Sequence, residues 1–288
     1  MLRIALPNKG RLATETRELF EDAGLDVRLT NDRALTASLG GEFQGLFVRA
    51  QDIPVFVADG AADVGVTGRD LICESECALD ARMDLGFGRC RMVVATREDS
   101  SVRAVEDLEG RPRVATSFPN ITRRFFEKLG RPVEVVPVSG ATEVAPLLGV
   151  ADIVVDLTST GSTLRVNGLR EIGTILESSA QLVTGRDAFA AGSDRARALD
   201  ELIAALTSVL RARGKRYLMA NVPRAALDDI RRVLPGLNGP TVVDILNGGV
   251  HVAVHAVVQA SGIYRTIAEL KSLGAEGILV TRIERLMP

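Results

Sequence analysis

Short β-branched runs alternate with amphipathic stretches along the first two thirds of the chain. Strands are predicted where the apolar run is too short for a helix, at 2–6, 45–48, 64–66, 92–96, 113–116, 133–137 and 153–155. The segments between them carry apolar stripes at helical spacing and stop at glycines, as at Leu12, Leu19, Phe20 and Ala23 ahead of Gly24. This alternation predicts an α/β fold with parallel sheets.

The last third follows a different order. A polar helix at 194–213 precedes a strand at 217–222, a helix at 224–234, strands at 241–246 and 251–258, a helix at 263–273 and a strand at 277–283. The order βαββαβ is typical of a ferredoxin-like domain. By fold alone such a domain serves structure or oligomerisation as readily as it senses a ligand.

Composition and charge narrow the classes of function. The 288 residues, 46% apolar and 25% charged, suffice for two or three ordinary globular domains. A formal charge of -2 argues against broad nucleic-acid or anionic-membrane binding, which needs a large basic field. The sequence shows neither an apolar run of membrane-spanning length nor a signal peptide, so we expect a cytoplasmic protein.

Cysteine and histidine supply little evidence for metal binding or nucleophilic catalysis. Cys73, Cys77 and Cys90 cannot all pair, and a zinc site needs about four ligands. His251 and His255 fall in a strand-like run, where four residues span about 13 Å, too far to share one ion. We therefore predict packing cysteines, no protein metal ligand and no Ser-His-Asp or Cys-His nucleophile.

The most informative segment is the stretch from Asp152 to Leu164, in which a short apolar run leads to Asp156 and then to five hydroxyl residues around Gly161. Ligands bind beyond the carboxyl ends of strands, and free N–H groups at the start of a following helix attract phosphate. Asp156 would accept hydrogen bonds from ribose hydroxyls. The spacing fits a ribose 5-phosphate, held by Thr158, Ser159, Thr160, Gly161, Ser162 and Thr163.

Less specific explanations also exist for such a segment. Serine, threonine and glycine also cluster in ordinary loops and helix caps. The segment is not a nucleotide-triphosphate P-loop, because no lysine follows Gly161. Similar ambiguity applies to Lys9-Gly10-Arg11 and to Thr67-Gly-Arg-Asp70, which follow predicted strands and could be a solvated turn and a helix cap.

Five motifs in order make the chain resemble the long, regulated form of ATP phosphoribosyltransferase, over essentially its whole length. They are Pro7-Asn-Lys-Gly-Arg-Leu12, Asp63-Val-Gly-Val-Thr-Gly-Arg-Asp70, Ala115-Thr-Ser-Phe-Pro-Asn120, the segment from Leu148 to Leu164, and Leu234-Pro-Gly with Pro240-Thr241. The resemblance implies a glycosyltransferase (pentosyltransferase) that joins N1 of ATP to the phosphoribosyl group of phosphoribosyl pyrophosphate, the first step of histidine biosynthesis. Magnesium is the implied cofactor, on the pyrophosphate rather than in a protein cage.

The resemblance also implies an architecture. A two-lobed core like that of periplasmic binding proteins would comprise lobe I, residues 1–90 with about 175–212, and lobe II, residues 91–174. A ferredoxin-like, ACT-like regulatory domain would follow at 213–288. The protein would assemble with itself, from dimer to hexamer. Histidine would be the feedback inhibitor, with AMP or ADP as further candidates.

Residue roles are carried over by the same resemblance. Lys9, Glu143 and Asp156 are the candidates for catalysis. The phosphoribosyl pyrophosphate site would comprise Gly10, Asp152, Asp156, Thr158, Ser159, Thr160, Gly161, Ser162 and Thr163. The ATP or AMP site would comprise Arg11, Arg49, Asp70 and Leu71, and the histidine site Thr241, Asn221 and Ala275.

Two other functions remain open at this point. A non-catalytic relative of solute-binding proteins would suit the two-lobed pattern, but such a receptor has no use for a complete phosphoribosyl loop. A phosphoribosyltransferase acting on another nitrogen nucleophile would share that loop, and only the region of Arg49 and Asp70 speaks against it.

Overall fold

The computed structural model describes residues 1–27, 35–246 and 249–287, which form two compact units, Met1–Glu201 and Leu202–Pro288. The border falls inside one long helix. Across the described residues, no helix is both long and apolar enough to cross a membrane.

The first unit consists of two sheets with helices packed against them. Its strands are β1 (Leu2–Pro7), β2 (Thr36–Gly40), β3 (Phe43–Val48), β4 (Val64–Gly68), β5 (Leu79–Asp84), β6 (Cys90–Arg97), β7 (Arg113–Thr116), β8 (Glu134–Pro137), β9 (Ile153–Thr158), β10 (Leu169–Ser178) and β11 (Ala180–Gly185). Its helices are α1 (Ala13–Asp22), α2 (Ile53–Ala58), α3 (Arg69–Ser75), α4 (Pro119–Lys128), α5 (Ser162–Val166) and the start of α6 (Asp194–Ala212).

The two sheets of this unit, here called sheet A and sheet B, are both mixed. Sheet A has the order β2-β3-β1-β4-β11-β5, and sheet B the order β10-β6-β9-β7-β8. Strands β1, β3 and β4 run parallel, as do β7, β8 and β9. The prediction of parallel sheets is confirmed for these strands and wrong for β6, which pairs antiparallel with β9 and β10. Strands β2, β5 and β11 also pair antiparallel with their neighbours.

Except for β2, the antiparallel strands lie next to the segments where the chain passes between the sheets. It leaves sheet A after β5, enters sheet B at β6, and returns through β10 into β11. The hydrophobic pattern does not predict β10, because Arg170, Glu171 and Glu177 interrupt its apolar positions, and β11 is unpredicted as well. Strands β2 and β5 are likewise unpredicted, and both carry mostly exposed or half-buried residues.

Sheet B is buried on both faces, which explains its β-branched runs. Met92 and Val94 pack into one core cluster and Val93 and Ala95 into another on the opposite face. Strand β9 divides in the same way, because successive side chains of a strand point to opposite faces.

The second unit is a four-stranded antiparallel sheet with two helices. Its elements are the remainder of α6, β12 (Lys215–Pro223), α7 (Leu227–Val233), β13 (Thr241–Asp244), β14 (His251–Gln259), α8 (Ile263–Ser272) and β15 (Glu276–Arg282). The strand order β13-β14-β12-β15 is ferredoxin-like. Helices α7 and α8 supply Ile230 and Leu270 to its core, and His251 and His255 lie in a strand as predicted. The predicted fold class is confirmed.

Close packing of α2 on sheet A generates a stability prediction. A Cβ added at Gly65 would lie 2.5 Å from Ile53 Cγ2 and 2.8 Å from Val57 Cγ2, whereas one added at Gly140 meets nothing within 4 Å. We expect Gly65→Ala to lower the free energy of unfolding by about 1–3 kcal/mol through overpacking. Denaturant titration should show no comparable loss for Gly140→Ala, and equal effects would contradict the packing argument.

Candidate functional site

Three loops meet at the carboxyl-terminal edge of sheet A. Strands β1 and β3 are parallel with Pro7 opposite Val48, so the loop from Lys9 begins beside Arg49. Strand β4 lies on the other side of β1, and Thr67 donates a hydrogen bond to the Ala50 carbonyl at 2.8 Å. The parallel strands therefore bring these sequence-distant segments to one edge, as expected for an α/β ligand site.

Arg11 and Asp70 are brought together at this edge. Nη2 of Arg11 lies 3.4 Å from Oδ1 of Asp70, and the Arg11 guanidinium also donates to the Gly88 carbonyl. The Asp70 carboxylate is buried and accepts a second hydrogen bond, from the Ser178 hydroxyl. Ser178 also accepts from the Asp70 backbone N–H at 3.0 Å. A buried charge is stable only with such partners.

Asp70 does not cap the helix that it begins, contrary to the simplest expectation. The residue before α3 is Gly68, and Asp70 lies in the first turn with its carboxylate directed to Ser178 and Arg11. A Cβ on Gly68 would lie 2.2 Å from Asp70 Oδ1. Glycine is therefore required at this position to admit the carboxylate.

The other residues of the predicted nucleotide set are near this pair in the chain but make different contacts. Arg49 is exposed, and no hydrogen bond or ion pair among the described residues joins its side chain to Arg11 or Asp70. Leu71 is half-buried and packs against the core of sheet B. Lys9 and Gly10 are exposed in the turn after β1, and Gly10 has φ of +85°. Their roles stay predictions.

The hydroxyl-rich segment forms a loop between β9 and α5, so its predicted position before a helix is confirmed. The Thr158 hydroxyl is buried and accepts from the Gly161 N–H at 2.7 Å, which closes the loop. Ser159, Thr160, Ser162 and Thr163 are exposed. Gly161 has φ of +73°, a conformation that favours glycine. The loop therefore presents exposed hydroxyls.

Asp156 and Glu143 form an acidic pair behind this loop. Strand β9 continues to Thr158, so Asp156 lies inside the strand and not at its end as predicted. Burial raises the pKa of the Asp156 carboxyl, and the nearby Glu143 charge adds to this, although hydrogen bonds from the Leu157 N–H and Thr142 oppose it. Glu143 lies in a 3-10 turn rather than opening a longer helix.

Asp152 is separated from this pair. It lies just before β9, four residues from Asp156, which corresponds to about 13 Å along a strand. Its Oδ2 accepts from the Arg113 backbone N–H at 2.7 Å, and its Oδ1 lies 3.7 Å from Arg113 Nη2. The structure gives Asp152 a bracing contact, and its assignment to the substrate site stays a prediction.

A cleft of about 320 Å³ connects the two halves of the site, and sequence reasoning missed most of its lining. It includes Ser159 of the loop and Ser178, the partner of Asp70, together with Arg69, Asp84, Arg89, Cys90, Arg91, Glu177 and Ser179. Arg91 is paired with Glu171 at 2.8 Å. The Arg89-Cys-Arg91 sequence at the start of β6 was the available signal for this cationic lining.

Cys90 lies among these charged groups but is not set up as a nucleophile. Burial is the main cause that raises the pKa of its thiol, and the Asp70 charge acts in the same direction. Arg11 and a hydrogen bond with Ser178 act against the rise without cancelling it. The thiol therefore remains protonated at neutral pH, which agrees with a packing role.

The predicted effector residues lie in the sheet of the second unit. Thr241 and Asn221 are exposed, and Ala275 is buried just before β15. Asn221 is opposite Glu276 and therefore close to Ala275. Thr241 is opposite His255, which is opposite Met219, so Thr241 and Asn221 are two strands and two residues apart, or about 12 Å. The chain does not bring all three residues together.

The raised pKa of Asp156 predicts how replacing this residue changes the stability of the protein. Its folded-state pKa is raised, so the folded protein binds a proton at Asp156 more tightly than the unfolded chain does. Stability is therefore lost as pH rises through the interval between the two pKa values. We expect Asp156→Asn to raise the free energy of unfolding at pH 7, with a gain that shrinks as pH falls towards 4.

Denaturant titrations at several pH values test this expectation. Asp152→Asn on the same strand is the matched control, because Asp152 is exposed and its contacts are at the surface. Its effect should remain within about 0.5 kcal/mol. If Asp156→Asn instead lowered the free energy of unfolding at pH 7, the favourable contacts of the carboxylate would outweigh the cost of burying its charge. That result would contradict the prediction.

Comparison with known proteins agrees with this geometry. The profile of a family described as ATP phosphoribosyltransferase matches residues 49–208, and that of the HisG C-terminal domain matches residues 212–285. A protein of Gemmatimonas aurantiaca named ATP phosphoribosyltransferase is 68% identical over 100% of both chains. A protein of the same name from Haloarcula marismortui is 49% identical over 99% of this chain and 100% of its own.

One solved structure is also similar. It is described as the ATP phosphoribosyl transferase (HisG:HisZ) complex from Thermotoga maritima, and its matching chain is 29% identical with a TM-score of 0.62. The match covers 72% of this chain and 99% of that one. The present chain therefore contains sequence beyond what the Thermotoga chain has.

Proposed function

The chain belongs to the ATP phosphoribosyltransferase family, a class of pentosyltransferases, and on this premise we propose that it joins phosphoribosyl pyrophosphate to N1 of ATP. The products would be N1-(5-phosphoribosyl)-ATP and pyrophosphate, in the first step of histidine biosynthesis. The observation that carries this proposal is the single cleft lined both by Ser159 of the hydroxyl loop and by Ser178, the partner of Asp70.

The proposed reaction is a displacement at the ribose carbon. The lone pair of adenine N1 forms the new bond to C1, and the bond from C1 to the pyrophosphate oxygen breaks with its electrons leaving on pyrophosphate. N1 has no proton to lose, so the barrier lies in placing the reactants and in balancing charge. We therefore assign no general base.

The loop and the acidic pair suit the phosphoribosyl group. Exposed hydroxyls of Ser159, Thr160, Ser162 and Thr163 would donate to the 5-phosphate, with the backbone around Gly161 close by. Asp156 would accept from the ribose hydroxyls. Because the Glu143 charge disfavours the charged form of Asp156, positive charge developing at C1 would relieve that repulsion and stabilise the transition state.

The cationic edge of sheet A suits the anionic parts of both substrates. We assign Arg11, Asp70, Arg49 and Leu71 to the adenine nucleotide, and Lys9 with Gly10 to the pyrophosphate. Arg69 and Arg89 line the cleft between these groups and would add positive charge there. Residues 1–90 with about 175–212 would thus form the nucleotide lobe, and residues 91–174 the phosphoribosyl lobe.

Magnesium fits the proposed reaction as an ion carried mainly by substrate. Among the described residues there is no group of three or more His, Cys, Asp or Glu side chains that could hold a metal ion. Mg²⁺ commonly takes water and phosphate oxygens as ligands, together with only one or two protein carboxylates. It therefore does not need a group of three protein ligands. When bound, the ion would neutralise charge on the departing pyrophosphate.

We further propose that residues 213–288 form the regulatory domain and bind histidine, which inhibits the enzyme. Thr241 lies about 12 Å from Asn221, farther than one free amino acid reaches, and Ala275, next to the strand beyond β12, is farther still. A second copy of the chain would bring the two groups to one ligand. This agrees with the proposal of a homo-oligomer, from dimer to hexamer, in which AMP or ADP could also inhibit.

The enzymatic proposal is tested by the ultraviolet absorbance of phosphoribosyl-ATP. Purified protein mixed with ATP, phosphoribosyl pyrophosphate, Mg²⁺ and pyrophosphatase should produce this signal. Asp156→Asn and Thr163→Ala should lower the rate, by about 10²-fold for Asp156 because it balances transition-state charge. Asp99→Asn, at an exposed pair with Arg97, is the control and should keep full activity. No signal from folded native protein would exclude the proposed reaction.

The regulatory proposal has its own test. Histidine should lower the rate, and Thr241→Val should raise the concentration needed for half-inhibition about fivefold to tenfold, as expected for one lost hydrogen bond. Thr281→Val on the same sheet is the matched control. A rate that histidine leaves unchanged would exclude feedback inhibition while leaving the enzymatic proposal intact.

A further inference from the structure

Helix α3 follows a strand of sheet A but packs against the helix and core of sheet B. It follows β4 of sheet A, and its first turn contains Asp70. Leu71 and Cys73 pack against the core cluster of sheet B that contains Phe118 and Ile121. The two-turn helix therefore extends from the candidate nucleotide site to the opposite lobe.

Glu74 makes the most specific contact of this junction. Its Oε1 accepts from the Asn120 backbone N–H and its Oε2 from the Ile121 N–H, each at 3.0 Å. The Asn120 side chain returns a hydrogen bond to the Glu74 carbonyl at 2.9 Å. Both oxygens of the Glu74 carboxylate thus accept hydrogen bonds from consecutive backbone amides of the other lobe.

These amides are the first free donors of α4. Pro119 occupies the first helical position and has no N–H, and the preceding Phe118 makes no side-chain cap. The next two N–H groups have no partner within the helix and are normally capped by the residue just before it. In this chain the cap comes from the other lobe, and the negative charge of Glu74 also suits the positive end of the α4 dipole.

A second contact reinforces the junction. Arg124 of α4 lies 3.0 Å from Oε1 of Glu76 and donates to the Cys73 carbonyl. Helix α4 follows β7, which pairs directly with β9, the strand that leads into the hydroxyl loop. The junction therefore links α3 to the lobe that carries the phosphoribosyl loop.

Asp70 and Glu74 are four residues apart, so they lie one above the other on one face of α3, about 6 Å apart along the axis. The position of Asp70 is consequently tied, through one rigid turn, to the position of α4. Within the described residues, the backbone itself passes between the sheets after β5 and after β10.

We propose that Glu74 is a positioning residue that fixes the separation between the nucleotide site on sheet A and the phosphoribosyl loop on sheet B. The inference rests on the proposed function for its catalytic consequence. In the proposed function the adenine nucleotide is held by sheet A and the ribose 5-phosphate by sheet B, so a loose junction would leave both subsites formed but misalign N1 and C1. A displacement of about 1 Å between reacting atoms can cost about 10²-fold in rate.

The kinetic test uses single-turnover rates of phosphoribosyl transfer together with the KM of each substrate. Glu74→Ala should lower the single-turnover rate by at least about tenfold, while each KM changes less than about threefold. Glu74→Gln keeps one acceptor oxygen and should recover part of the rate. Glu127→Gln, an exposed carboxylate on α4, is the matched control and should behave as the native enzyme.

Hydrogen exchange supplies a readout that does not depend on activity. If Glu74 acts only as a local cap of α4, its replacement should speed hydrogen exchange only at the amides near Asn120. A loosened junction should also speed exchange at the crossings, where Arg69 N–H donates to the Ser179 carbonyl at 3.0 Å and Ala180 N–H to the Phe87 carbonyl at 3.0 Å. The Ala180 amide lies outside α3 and α4 and therefore reports the relation between the sheets, whereas Arg69 is the first residue of α3 and also reports local opening of that helix.

The outcomes separate the two proposals. An unchanged single-turnover rate in Glu74→Ala, a rise in KM alone, or faster exchange confined to the start of α4 would each overturn the positioning role. If Glu74→Ala does not fold, Glu74→Gln decides by the same criteria. If the native protein shows no transfer, the proposed function fails, and exchange at the crossings still decides whether Glu74 fixes the two sheets.

Discussion

The buried Asp70 carboxylate is the constraint on which the arrangement of the site depends. A charge removed from water is costly unless it is paired and hydrogen-bonded, and the partners of Asp70 come from two distant segments. Arg11 belongs to the loop after β1, and Ser178 to the end of β10 where the chain returns to sheet A. Satisfying one carboxylate therefore fixes three segments at the base of the cleft. Glycine at position 68 gives that carboxylate its space.

Charged side chains of both signs surround the site. Arg69 and Arg89 line the cleft together with Asp84 and Glu177, and Arg11 is paired with Asp70. Sheet B presents Asp156 with Glu143 behind exposed hydroxyls, where burial and mutual repulsion keep the cost of the Asp156 charge high. The proposed displacement, which would make the ribose carbon positive and the leaving group negative, would use charges of both signs.

Several parts of this picture could be predicted from the sequence because they depend on local order. The βαββαβ order of the second unit is confirmed, since its strands and helices have clear periodicity. The hydroxyl loop lies before a helix because Gly161 and the hydroxyl residues favour that turn. The strand of Asp156 is longer than its apolar run, because Leu157 and Thr158 continue the pairing with β6. Local hydrophobicity does not report such pairing.

The sequence by itself determined the alternation of elements, the hydroxyl loop and the family to which the chain belongs, because these are encoded in neighbouring residues and ordered motifs. Only the tertiary structure decided that β6, β10 and β11 run antiparallel, that Arg89 and Arg91 line the cleft, and that Glu74 caps a helix of the other lobe. Each of these joins segments far apart in the chain. Their partners are set by the path of the backbone between two sheets, which no local pattern of residues specifies.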